Sequence, residues 1–220
     1  MQSGQDRTEL DRKITAIKVQ KRNPQRVNVY LDGEFAFGLS RLVAAWLQVG
    51  QELTEQKISS LQAEDARETA YQQALKLLNF RQRSQAEVER NLKDHQFPSD
   101  VVEAVIERLQ SAGLLDDDRF AQNWVENRSE FRPRGRSLLR MELRQRGLDD
   151  EAIQTALEGI DEGDLAYQAG LKQARKYKDL DWPQFRQKLY AFLARRGFNY
   201  ENIPPVVERI WQESQSDRLE

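Results

Sequence analysis

The chain has 220 residues, with 34 Lys and Arg against 36 Asp and Glu, a formal net charge of −2, 39% hydrophobic residues and no cysteine. This composition is that of a soluble protein of one or two domains, and it excludes disulfides and thiolate metal sites. No apolar run reaches the ~18 residues of a membrane span, and the first residues, MQSGQDRTELDRK, lack the apolar stretch of a signal peptide, so a cytoplasmic protein with no membrane partner is expected.

Residues 1–12 are polar and are expected to be disordered. A β pattern begins at ITAIKVQ (14–20), and RVNVYLDGEFAFGLS places two apolar-rich runs around Asp32-Gly33, a dipeptide suited to hairpin positions that need positive φ. A two-residue loop there sets Tyr30 opposite Phe35 and Val29 opposite Ala36. Cover for so small a sheet is expected from SRLVAAWLQV (40–49), read as an apolar helix ending at Gly50, and from LTEQKISSLQ (53–62), read as a second short helix. Residues 13–62 therefore form a small N-terminal β-hairpin-plus-helix (α+β) domain.

From residue 63 helical spacing takes over. Val101, Val102, Val105, Ile106 and Leu109 line one helix face. Setting residues 84–109 over 135–160 without a gap pairs Val88 with Leu139, Leu92 with Leu143, Phe97 with Leu148 and Ile106 with Leu157; Leu189, Leu193, Phe198, Ile203, Val207 and Ile210 supply a third copy. The turns repeat as well. Arg146-Gly147-Leu148 and Arg196-Gly197-Phe198 read as a helix end, a left-handed glycine and an apolar residue folding back, with Gln96 in the glycine slot of the first copy and a further glycine cap at Gly113. Each copy adds a short first helix (69–79, 118–129, 164–177). The fold class is thus mainly α: three tandem three-helix repeats (63–115, 116–162, 163–213) and a polar tail (214–220), expected to stack into an elongated, curved body.

Little points to catalysis. The single histidine, His95, falls in a turn with no second ligand at metal spacing, and no Walker A loop, strand-associated G-x-G-x-x-G or G-x-S-x-G occurs. Asp116-Asp117-Asp118 could gather a divalent cation, but aspartates at a helix start cap free N–H groups, while Phe120, Ala121, Trp124 and Val125 form that helix's buried face. The four tryptophans read as packing residues. The expectation is a non-enzymatic protein with no cofactor and no metal.

The stripe helices carry more carboxylates than arginines, which disfavours reading a major groove as three-helix units often do. Positive charge gathers instead in RSEFRPRGRSLLRMELRQR (128–146), seven arginines against two glutamates. Arg136, Arg140 and Arg144 recur at i, i+4, i+8 away from Leu139 and Leu143, and Arg132 and Arg134 extend the strip into the preceding loop. Arginine suits bidentate recognition of carboxylate or phosphate, so Arg128, Arg132, Arg134, Arg136, Arg140, Arg144 and Arg146 are the candidate partner-binding residues.

Gly113-Leu114-Leu115-Asp116-Asp117-Asp118-Arg119-Phe120-Ala121, Arg128, Gly135 and LRMELRQRGL (139–148) resemble the RecX family, regulators of the RecA recombinase; FLARRGF (192–198) with Ile203 and RSQAEVERNL (83–92) resemble its flanking repeats. The resemblance covers about residues 64–213. The loop FRPRGRS departs from it in carrying proline ahead of glycine, and the N-terminal β segment is similar to extensions of some members. The resemblance implies a non-enzymatic protein that lies in the groove of a RecA filament on single-stranded DNA and restrains filament extension, ATP hydrolysis and strand exchange; a monomer acting within recombinational repair and the SOS response is expected. The alternatives are a DNA-binding helical-repeat protein acting without a recombinase, and a scaffold for another acidic partner.

Overall fold

The computed structural model describes residues 11–216; what is expected of residues 1–10 and 217–220 lies outside the described residues. Among the described residues the chain separates into two units, 11–81 with 88–114, and 82–87 with 115–216.

The first unit opens with β1 (Arg12–Val19), β2 (Arg26–Leu31), β3 (Glu34–Ser40) and the short β4 (Glu52–Leu53), an antiparallel sheet in the order β3-β2-β1-β4. Asp32 and Gly33 both take positive φ (50° and 93°), as the hairpin requires. The Asp32 carboxylate also accepts from the Lys13 N–H and from Arg12 Nε at 3.0 and 3.1 Å, which ties the loop to β1. Tyr30 pairs with Phe35 as expected, but Val29 pairs with Phe37, not Ala36. The difference is a bulge. In the uninterrupted register Phe37 and Leu39 would turn outward; one extra residue returns both to the face that holds Ile14, Val27, Val29 and Leu31.

The expected helix over 40–49 is absent. A single 3-10 turn covers Val43–Trp46, and Leu47 is already extended. Val43 and Ala44 are buried and Leu47 packs against the same core from its extended position, while Trp46 is 89% exposed. The Gly50 N–H donates to the Ile14 carbonyl and the Ile14 N–H to the Gln51 carbonyl, both at 2.8 Å, so the chain is drawn back to the sheet edge before a second turn can form.

The two short helices expected over 53–62 and 69–79 are one: α1 (Glu55–Leu78), capped by Thr54, whose side chain accepts from the Lys57 N–H. No glycine or proline interrupts it. Its buried stripe runs Ile58, Leu61, Asp65, Glu68, Ala70, Ala74, so the middle of the apolar face is polar. Both carboxylates are paired: Asp65 with Arg26 at 2.7 Å and with the Ser40 N–H at 2.5 Å, Glu68 with Arg108 at 2.9 Å. Buried charge at those positions broke the apolar period without breaking the helix.

The remaining helices are α2 (Gln85–Asp94), α3 (Ser99–Ser111), α4 (Asp117–Phe131), α5 (Arg136–Gln145), α6 (Asp150–Leu157), α7 (Glu162–Ala174), α8 (Trp182–Arg195) and α9 (Ile203–Ser216). They compose three three-helix domains, the first sharing α1. The apolar alignment of the three copies corresponds to buried side chains: Val88, Leu92, Leu139, Leu143, Leu189 and Leu193 on the middle helices, and the whole Val101–Leu109 stripe on α3. The turns match bond for bond. Gln96, Gly147 and Gly197 have φ of 63°, 81° and 78°, and the next residue's N–H reaches back to Leu92, Leu143 and Leu193 at 3.2–3.3 Å. This is the bonding that closes a helix on a left-handed residue.

Within the second unit the same turns also serve as joints. The Ser84 hydroxyl donates to the Arg146 carbonyl at 2.6 Å, and a Cβ on Gly147 would lie 2.3 Å from Ala86 Cβ. One repeat later the Gly135 N–H donates to the Arg196 carbonyl at 2.9 Å, and a Cβ on Gly135 would lie 2.0 Å from the Gly197 carbonyl oxygen. The N-terminus of one middle helix therefore rests on the C-terminal turn of the next. Backbone approach that close is open only to glycine.

Candidate partner-binding surface

The arginine stretch occupies the end of α4, the loop 132–135 and all of α5, and α5 forms because Leu139 and Leu143 point into the core with Phe120, Val125, Leu148, Ile153 and Leu157. Between those leucines and the arginines stands Glu142, which is 8% exposed. A buried carboxylate needs cationic or donor partners. It has three: Arg128 Nε at 3.2 Å, Trp124 Nε1 at 2.9 Å, and the Arg134 guanidinium. Arg128 also lies over the Trp124 ring at 4.2 Å, as does Arg146 at 3.8 Å, and Arg146 pairs with Glu87 at 2.8 Å.

The seven candidates thus divide. Arg128, Arg134 and Arg146 hold the second unit together through internal carboxylates and Trp124. Arg136 donates to the Ile160 carbonyl at 2.7 Å while its own N–H donates to Glu162, so it is tied to the backbone where the third repeat begins. The expected continuous strip of Arg136, Arg140 and Arg144 is interrupted at its first member for that reason. Arg144 meets Asp150 at 2.8 Å with both side chains exposed, a pairing of little energetic weight. Neither Arg132 nor Arg140 has a side-chain ion pair or hydrogen bond among the described residues; Arg132 and Arg144 are exposed and Arg140 is half-buried.

The fold adds Arg196, which sequence reasoning missed. It stands on the third repeat's turn, donates to the Pro133 carbonyl at 3.0 Å and lies over the Phe192 ring at 4.7 Å. Burial, followed by the repulsion of Arg128, Arg196 and Arg132, lowers the Arg134 pKa from its ordinary value; burial and Arg132 do the same to Arg196. Four guanidiniums therefore crowd around one loop with Glu142 as the carboxylate among them, an arrangement that attracts anions. The parallel between RQRGL and ARRGF was the signal that could have found Arg196.

Of the aspartate cluster, Asp116 caps α4, accepting from the Arg119 N–H at 2.8 Å, while Asp117 accepts from the Gln85 N–H at 2.8 Å at the start of α2; Phe120, Ala121 and Val125 are buried as expected and Trp124 is half-buried. Burial raises the Asp117 pKa above that of a free aspartate. His95 sits at the end of α2 with Nδ1 2.7 Å from the Asn91 carbonyl. No group of three or more His, Cys, Asp or Glu side chains is placed to hold a metal among the described residues, and none of the helices there is long and apolar enough to cross a membrane.

Family models match along the chain. One described as the regulatory protein RecX N-terminal domain matches residues 12–54, and those for the first, second and third RecX three-helix domains match residues 70–109, 116–157 and 161–203. The regulatory protein RecX of Bacillus pumilus is 32% identical over 213 residues, covering 94% of this chain and 81% of the relative; that of Bacillus subtilis is 32% identical over 209 residues, covering 93% and 79%. A crystal structure of regulatory protein RecX superimposes with a TM-score of 0.69 at 29% identity, over 91% of this chain and 99% of the other. That of RecX from Lactobacillus salivarius gives 0.59 at 22% identity, over 69% and 98%, and agrees in fold. With four domain models in order along the chain and relatives at this identity over most of its length, the chain belongs to the RecX family of regulatory proteins.

Proposed function

We propose that this protein is a cytoplasmic, non-enzymatic, monomeric regulator that binds a RecA recombinase filament on single-stranded DNA and restrains its extension, ATP hydrolysis and strand exchange. The observation that carries the reading is the division of the arginines: Arg132, Arg140 and Arg144 face outward from a loop and helix that Arg128, Arg134, Arg136 and Arg146 fix in place from within. Cations carried on a fixed loop and helix lose less backbone freedom on meeting carboxylates or phosphates than cations on a mobile loop. Repeats that each present a modest contact to successive protomers gain through effective concentration what each lacks alone.

The test is the single-stranded-DNA-dependent ATPase of the recombinase, measured with substoichiometric protein. The parent should depress it strongly, and an Arg132→Glu/Arg140→Glu variant that folds normally should need at least about tenfold more protein. Arg136 is left out of the reversal because its loss would disturb the backbone at Ile160. Equal inhibition by parent and variant would remove the arginines from the partner surface. No inhibition by the parent, together with tight, steeply salt-dependent binding to bare DNA, would favour a DNA-binding protein acting without a recombinase.

A further inference from the structure

The sheet of the first unit has one face on the core; the other carries an aromatic pair, the half-buried Tyr30 and the exposed Phe35. The bulges in β1 and β3 set Ala16, Tyr30 and Phe35 side by side across β1, β2 and β3, with Lys18, Asn28 and Gly38 in the adjacent row. Tyr30 and Phe35 meet edge to face with centroids 6.0 Å apart, and Phe35 is 59% exposed. Neighbouring Ala16 and Gly38 raise no bulk beside the rings. Lys18 Nζ stands 4.9 Å from the Tyr30 centroid, and Gln20 Nε2 donates to Asn28 Oδ1 at 2.8 Å, leaving amide donors and acceptors at the edge of the aromatic row.

Charge fits the same ligand. Residues 12–53 carry seven Lys and Arg against three Asp and Glu, an excess of four positive charges in a chain of net charge −2. Two of the seven are neutralised locally, Arg12 by Asp32 and Arg26 by Asp65. Lys18, Lys21, Arg22 and Arg41 are exposed. The carboxylates Asp32 and Glu34 sit at the hairpin end of β2 and β3, whereas Lys21, Arg22 and Arg41 lie at the opposite end. An aromatic pair flanked by a lysine and opening toward a basic end is the combination that holds single strands: the rings accept any base by stacking and the cations follow the phosphates.

We infer that the outer face of the N-terminal sheet binds single-stranded DNA by stacking two bases on Tyr30 and Phe35, with Lys18 pairing the intervening phosphate. Lys18 is exposed on a flexible stem, so it leaves the Tyr30 ring for a phosphate at little cost. The choice of DNA over RNA rests on the filament reading; the stacking geometry does not.

The experiment uses the full chain and bare oligonucleotides of ~12 nucleotides, within the range one such surface accommodates, with no recombinase present, so its outcome is independent of the ATPase test. An oligothymidine carrying 5-iododeoxyuridine, irradiated on the protein and digested, should crosslink at Tyr30 or Phe35. A Tyr30→Leu/Phe35→Leu variant keeps apolar bulk without a flat face and should bind about tenfold or more weakly, with unchanged circular dichroism; Lys18→Ala should weaken binding less. An abasic strand of the same length should also bind at least about tenfold more weakly. Crosslinks confined to other residues, unchanged affinity of the leucine variant, or equal binding of the abasic strand would each overturn the platform. A tenfold preference for oligouridine would overturn the assignment to DNA.

Discussion

Gly135→Ala isolates the joint between the second and third repeats. Gly135 has an ordinary φ of −73°, so alanine adds no backbone strain, only a methyl group. That methyl would lie 2.0 Å from the Gly197 carbonyl oxygen, 2.2 Å from its carbon and 2.3 Å from the Phe198 nitrogen. These are backbone atoms, with no rotamer to move, so the two segments must part by about 1.5 Å to reach van der Waals separation. Parting strains or breaks the bonds from the Gly135 N–H to Arg196 and from Ser137 Oγ to the Gly197 carbonyl, both 2.9 Å. Overpacking costs about 1–3 kcal/mol and each lost hydrogen bond about 1 kcal/mol, so a loss of about 2–5 kcal/mol is expected. Urea denaturation followed by circular dichroism measures it. Gly113→Ala is the comparison: its φ of 67° is left-handed, but nothing lies within 4 Å of the added methyl, so only strain of about 1–2 kcal/mol applies. A Gly135→Ala loss no larger than that of Gly113→Ala would refute the close-contact reasoning.

Other outcomes follow from single features. Glu142→Gln leaves Arg128 and Arg134 without their shared carboxylate and should cost about 2–3 kcal/mol, less than a fully buried pair because both arginines are partly exposed; urea melting of the variant checks it. Gln96→Gly should stabilise by up to about 1 kcal/mol in the same assay, since glycine adopts the observed φ of 63° without penalty. Burial raises the folded-state pKa of Asp117, so the stability linked to its protonation is present below the unfolded value of 3.8 and is lost as pH rises through the higher folded value. Asp117→Asn keeps an acceptor for Gln85 and should therefore raise the melting temperature at pH 7 but not at pH 3.

Local signals carried most of the fold into the sequence. Asp32-Gly33 announced the hairpin and the left-handed turns announced the repeats, because each needs only a few adjacent residues. The bulge that exchanges Ala36 for Phe37 was not legible, since it is decided by which side chains the core receives. Nor was the length of α1, because Asp65 and Glu68 find their cations on Arg26 and Arg108, about forty residues away in each case. The candidate site shows the same limit. The arginines stand out by composition, but what separates Arg128 from Arg132 is Glu142, and what occupies Arg146 is Glu87, 59 positions earlier.

The contact of Gly135 with the Arg196-Gly197 turn has a mechanical consequence. A joint made of side chains has slack, because rotamers can change under load; this one is main chain against main chain. The Arg196 carbonyl receives the Gly135 N–H while its guanidinium holds the Pro133 carbonyl, so both ends of the short arginine loop are clamped by the third repeat. Any displacement of the third repeat must then drag Arg132 and Arg134 with it, and cutting the chain ahead of α8 would release the loop even though every arginine proposed to meet the filament remained in place.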